Sequence, residues 1–167
     1  EGSAYWIANK AIREALKVLD GRSKNTAFLD ALLEFAGLPR QLSQTNAHAL
    51  TTWLYARESS TELANFAPWI TRLAEHNPSA KLLLEDAGKS LAELVEAILQ
   101  QGSFQHPVTV SIGGSVLKYS MPTKNAFLHH LPKTCTFSEP MLPPVLGATL
   151  LAWLSQNPWS TSIIDHL

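Results

Sequence analysis

One cysteine, Cys135, occurs in 167 residues, so no internal disulfide can staple the chain and nothing directs it to an oxidising compartment; the default reading is a cytoplasmic protein. Positive charge is not in excess either. Thirteen Lys and Arg against fourteen Asp and Glu leave a formal net charge of −1, which removes the electrostatic basis for gripping a nucleic-acid backbone. No run approaches the ~18 apolar residues that a membrane span requires, and there is no internal repeat or low-complexity tract. Nucleic acid and membrane are therefore not expected partners. What is present is 46% hydrophobic and 16% charged side chains, the composition of a folded globular domain with enough apolar material for a core. The chain opens Glu1-Gly2-Ser3, with neither methionine nor a basic, apolar leader, so the expectation is a piece of something longer.

Apolar spacing predicts helices first. Ser3 can cap a helix carrying Ile7, Ala8, Ala11, Ile12, Ala15, Leu16 and Leu19 on its inner face, stopped by Asp20-Gly21. Asn25 or Thr26 opens a second, with Phe28, Leu29, Leu32, Leu33 and Phe35 inward and Gly37 and Pro39 beyond its end. A third is expected over residues 46–55, and Ser59 or Ser60 opens a fourth region that Pro68 must kink or restart. Asn77-Pro78 is a strong start for a long helix to about Gln100, its buried stripe formed by Leu83, Ala87, Leu91, Leu94, Val95 and Ile98, with Lys81, Glu85, Lys89 and Glu93 on a solvated face.

The pattern then changes. Val108, Val110 and Ile112 alternate with Thr109 and Ser111, the period of a strand, which stops at Gly113-Gly114. A helix over residues 123–131, a short strand over 134–137 and a last helix over 147–154, closed by Asn157-Pro158, complete the reading. The expected class is α/β: a helical part over residues 1–101 and a strand–helix–strand–helix part over 102–157, within one lobe spanning 1–167. Two strands joined by a helical crossover are parallel, and a parallel pair belongs to a wider sheet buried on both faces. Either the domain is mostly helical with a small sheet, or its other strands lie upstream of Glu1; the absent methionine favours the second.

Chemistry is sparse. A strand turning through Gly113-Gly114 into a helix start at Ser115 exposes backbone N–H groups and lets a phosphate or ribose approach closely, the arrangement of a nucleotide site, although such a turn also serves as a plain connector. It is neither a P-loop nor a dinucleotide fingerprint. His129-His130 lack partners at metal-ligand spacing. Cys135 reads as a small buried hydrophobe, and no G-x-S-x-G elbow supports acyl transfer.

Three segments in order carry more information: Glu1-Gly2-Ser3-Ala4-Tyr5-Trp6-Ile7-Ala8, Val110-Ser111-Ile112-Gly113-Gly114-Ser115-Val116, and Pro144-Val145-Leu146-Gly147-Ala148. Together they resemble the C-terminal half of N-acetylglucosamine kinases, within the wider BadF-type family that includes the ATPase activators of benzoyl-CoA reductase. Asp20-Gly21-Arg22 leading into Thr26-Ala27 and Leu29 adds to the likeness, which runs through nearly the whole chain. The resemblance implies a ribonuclease-H-like, actin-like ATPase fold whose two lobes close over ATP and a sugar, with this chain supplying most of the second lobe. It implies ATP and Mg²⁺ as cofactors, an amino sugar as substrate, and the N-terminal lobe of the same protein as partner, with a homodimer as a further possibility. The catalytic Asp and the phosphate-binding turns are expected in the other half, so no catalytic residue is expected here. Gly113, Gly114 and Ser115 match the family's adenosine loop, with Tyr119 one turn on, where relatives often carry a small residue. Phe66-Ala67 matches a position lining the adenine pocket, although core packing accounts equally well for Phe66. Glu1 adjoins the place of a sugar-binding Asp.

Two other readings compete. A reductase activator needs cysteines for an iron–sulfur cluster, and one Cys argues against it. A regulatory or interaction domain that kept the fold and lost activity predicts no ATP binding even with the other half restored.

Overall fold

A computed structural model of the chain describes residues 1–40, 44–56 and 59–156. The helical part is organised around α1 (Ala4–Leu19), which touches each of the helices that follow: α2 (Thr26–Phe35), α3 (Gln44–Tyr55), α4 (Ser60–Ala64), α5 (Ala67–Leu73) and α6 (Pro78–Gln101). Its inner face explains this position. Ile7 and Ile12 fill space while Ala8, Ala11 and Ala15, all fully buried, let neighbouring backbones come close.

The predicted caps form. The Ser3 hydroxyl accepts the Trp6 N–H at 3.2 Å, Asn25 opens α2 by accepting from Phe28, and the Asn77 side chain accepts from both Ser79 and Ala80 at the head of α6. Ser59, not Ser60, caps α4, in a reciprocal capping box with Glu62. Pro68 sits in the first turn of α5, where a missing N–H costs nothing.

At 24 residues, α6 is about 36 Å long and joins two cores. Leu83, Leu84 and Ala87 face the α1 core; Ala92 belongs to a smaller one with Ile112, Leu117 and Phe127. The expected stripe is corrected at its far end, where Leu94 and Ile98 are exposed because α6 has outrun the elements it packs against. Gly88 lies between the cores. A Cβ there would stand 2.2 Å from the Thr123 carbonyl oxygen and 2.8 Å from the Phe127 nitrogen, so glycine is what allows α8 (Met121–His130) to lie against α6. Lys81–Glu85 and Lys89–Glu93 form loose exposed pairs at 3.8 and 3.9 Å, a solvated face as expected.

The strand part is a two-stranded parallel sheet of β1 (Val108–Ser111) and β2 (Cys135–Ser138), joined through α7 (Ser115–Tyr119) and α8. Val110 pairs with Phe137, and both lean on the smaller core; Thr109 and Thr136, whose hydroxyls lie 3.4 Å apart, point away. Several boundaries move. Ile112 is buried but follows the strand, β2 begins one residue later than expected, and α8 begins two residues earlier, at Met121, with Pro122 in its first turn. The last helix, α9 (Pro144–Gln156), starts at the second of two prolines instead of at Gly147; its expected closure at Asn157-Pro158 lies outside the described residues. Cys135 is half-buried instead of buried, because the two-stranded sheet leaves it partly open. Phe35 is partly exposed instead of inward, although its ring lies 4.5 Å from that of Phe66. The fold is thus helix-rich α/β with a small parallel sheet. No helix among the described residues is long and apolar enough to cross a membrane.

Candidate functional site

Where the helical and strand parts meet, a cleft of about 420 Å³ opens between the start of α1, the elbow from α4 to α5, and α7. The elbow's sequence explains which side chains reach it. Leu63, Phe66, Ile70 and Leu73 recur at helical spacing and are buried in the main core. Ala64, Pro68, Thr71 and Arg72 share a different face and line the cleft, with Ala67 at the boundary between the two. Small residues keep that wall low, and Thr71 ties its hydroxyl to the Ala67 carbonyl at 3.0 Å, which fixes the polar edge.

The opposite wall is α7. β1 ends at Ser111, buried Ile112 anchors the chain, and Gly113-Gly114 carries it out to solvent. Gly114 has φ 90 and ψ 162, a conformation open essentially to glycine alone; it turns the chain so that Ser115, Val116, Tyr119 and Ser120 face the cleft. The Ser120 hydroxyl is held against that of Thr123 at 2.8 Å, tying this wall to α8.

Three of the residues singled out from sequence, Ala67, Ser115 and Tyr119, therefore meet in one cleft although up to 52 positions separate them. Gly113 and Gly114 lead into it without lining it. Phe66 does not line it: its ring is buried among Phe35, Trp53 and Trp69, at centroid distances of 4.5, 5.4 and 5.1 Å, so the core-packing reading describes its side chain. Glu1 lies elsewhere, in a groove along α1 shared with Tyr5, Lys10 and Arg13. Thr61, Asn65, Thr71 and Arg72 line the cleft and were not singled out. Their signal is the run of small and polar residues at positions 64, 67, 68, 71 and 72, helically spaced opposite an apolar stripe.

The cleft's volume lies in the range of small-molecule sites, and its apolar walls with a few hydroxyls and one amide are of the usual kind. Carboxylates are absent from its described lining. No group of three or more His, Cys, Asp and Glu that could hold a metal ion occurs among the described residues; His129 and His130 instead pack their rings edge to face, 5.1 Å apart.

No protein-family model matches the chain, and no curated protein is significantly similar to it. Among solved structures, 90% of the chain superposes, with a TM-score of 0.64 and 23% identity, on a protein from Chromobacterium violaceum named as a putative N-acetylglucosamine kinase. The likeness is one of fold. The chain spans 47% of that structure's chain, about half its length.

Proposed function

We propose that this chain is the adenosine-binding lobe of an ATP-dependent amino-sugar kinase, with N-acetylglucosamine as the first candidate substrate. The observation that carries the reading is the cleft that gathers Ala67, Ser115 and Tyr119, the positions matching the family's adenosine site, at the junction of the two parts. The fold shared with the Chromobacterium violaceum protein supports it.

In the proposed reaction a sugar hydroxyl oxygen forms a bond to the γ-phosphorus, the bond from that phosphorus to the bridging oxygen breaks, and ADP leaves, while the hydroxyl proton passes to a carboxylate. This chain's part is positioning. The apolar walls of Ile7, Pro68 and Val116 would hold the base, and Ser115 would meet the ribose, fixing the nucleotide so that its far end is presented to the rest of the protein. The carboxylate base belongs to the partner lobe. Magnesium would be held chiefly by the nucleotide's phosphates, and no ligand to it is proposed in this chain. A parallel sheet of only two strands fits a lobe whose sheet is completed by other segments of the protein.

Two measurements test the reading. Calorimetric titration with ADP and ATP is expected to detect binding to the chain, with no sugar phosphorylation by the chain alone. Joined to its other half, the protein is expected to turn over N-acetylglucosamine faster than glucosamine or glucose. Absence of nucleotide binding in both forms would refute the proposal.

A further inference from the structure

We infer that Arg72 recognises a phosphate of the nucleotide, making the cleft selective for nucleoside phosphates over nucleosides. The inference rests on the nucleotide reading above and concerns a residue that reading does not use. Arg72 is the one charged side chain among the described residues lining the cleft; no Asp, Glu or Lys joins it there. A site walled by alanine, proline, valine and hydroxyls with a single guanidinium carries net positive charge, and its complementary ligand is an anion.

Arg72 is also unspent. It lies in the last turn of α5, exposed, and no carboxylate among the described residues approaches within ion-pair distance of it. Two carboxylates lie in its neighbourhood: Glu75, one turn on, makes no ion pair with it, and Glu34, which shares with Arg72 the neighbouring surface pocket against Phe35 and Trp69, is engaged by Arg40. Arg72 thus lines the cleft with no ion-pair partner among the described residues, and the planar fork of a guanidinium matches two phosphate oxygens at once. Asn65 and Thr71 on the same wall add neutral polar groups beside it and no opposing charge.

The experiment compares ADP, adenosine and inorganic phosphate as ligands of the parent chain, Arg72→Ala and Arg72→Lys, by calorimetry. Because Arg72 is exposed, both variants are expected to keep the parent's circular dichroism and melting temperature. Arg72→Ala is expected to weaken ADP about tenfold to a hundredfold, the loss of one charge-assisted contact, while adenosine affinity stays within about twofold. Arg72→Lys should recover part of the ADP loss, since it keeps the charge without the fork. Added salt should weaken ADP binding more in the parent than in Arg72→Ala. Equal losses for ADP and adenosine would make Arg72 a wall of the nucleoside site, and unchanged ADP affinity would leave it idle; either result overturns the inference while the nucleotide reading stands. A parent chain that binds neither ADP nor adenosine overturns both.

Discussion

Replacing Gly88 with alanine sets two opposed effects against each other at one atom. In an exposed helix interior the change stabilises by about 1 kcal/mol, because alanine has the higher helix propensity and restricts the unfolded chain. Here the added methyl would stand 2.2 Å from the Thr123 carbonyl oxygen, 2.8 Å from the Phe127 nitrogen and 2.9 Å from the Ala126 Cβ, where ordinary contact begins at 3.4 Å. Two of those three atoms are backbone, so no rotamer change relieves the clash. The α8 helix must move outward by roughly 1 Å, and a packed interior resists that. A clash this close places the overpacking cost in the upper part of the usual range, about 2–3 kcal/mol, so after the helix-propensity gain the net expectation is destabilisation by about 1–2 kcal/mol, or a fall in melting temperature of roughly 2–8 °C for a chain of this size. Urea unfolding of parent and variant, followed by circular dichroism, measures it, with the midpoint lowered and the slope unchanged. A variant as stable as the parent or more so would refute the claim that α6 and α8 are held at glycine distance.

Three further outcomes follow from the geometry. Gly113→Val places its side chain in open space without an unusual φ, whereas Gly114→Val forces a β-branched residue to φ 90; the first should fold normally and lose nucleotide affinity, the second should lose about 1–3 kcal/mol of stability, and unchanged ADP affinity in a folded Gly113→Val would remove the loop from the site. Phe66→Ala empties the aromatic cluster and should cost about 3–5 kcal/mol in a thermal melt, while Phe66→Leu should fold and bind ADP like the parent; selective loss of ADP binding in the leucine variant would return Phe66 to the pocket. The Asp20 carboxyl is held below its ordinary range, chiefly by a side-chain hydrogen bond from Arg22, which closes the end of α1. A folded-state value below the unfolded one means that the contribution is complete above the unfolded value and is lost as pH falls through the folded one. Unfolding midpoints from pH 2 to 5 should therefore decline less steeply in Asp20→Asn, and parallel declines would show the contact to be idle.

Local signals proved legible wherever they were chemical. Ser3, Asn25 and Asn77 were identifiable as caps because each offers a side-chain oxygen just ahead of an apolar period, and each accepts the expected N–H. The parallel pairing was legible from the order strand, helix, strand. Burial at the far end of α6 was not, because periodicity marks Leu94 and Ile98 as one face with Leu83 and Ala87 without revealing where the packed partners stop. Gly88 was equally silent: its role lies in the backbone of α8, 35 residues away at Thr123, and a lone glycine in a helical pattern carries no mark of what approaches it.

The candidate site divides along the same line. Phe66 and Ala67 were adjacent candidates, and adjacent helical residues point about 100° apart, so one pocket rarely takes both. The apolar period through Leu63, Phe66, Ile70 and Leu73 assigns Phe66 to the core and leaves to the cleft the face that reads as small and polar. That face contains Arg72, which no motif marks and no local spacing explains. Its significance depends on two distant facts, that α7 supplies the opposite wall and that Arg40 already occupies Glu34. A charge is available to a ligand where its neighbours leave it unpaired, and which residues become its neighbours is a property of the fold, not of local spacing.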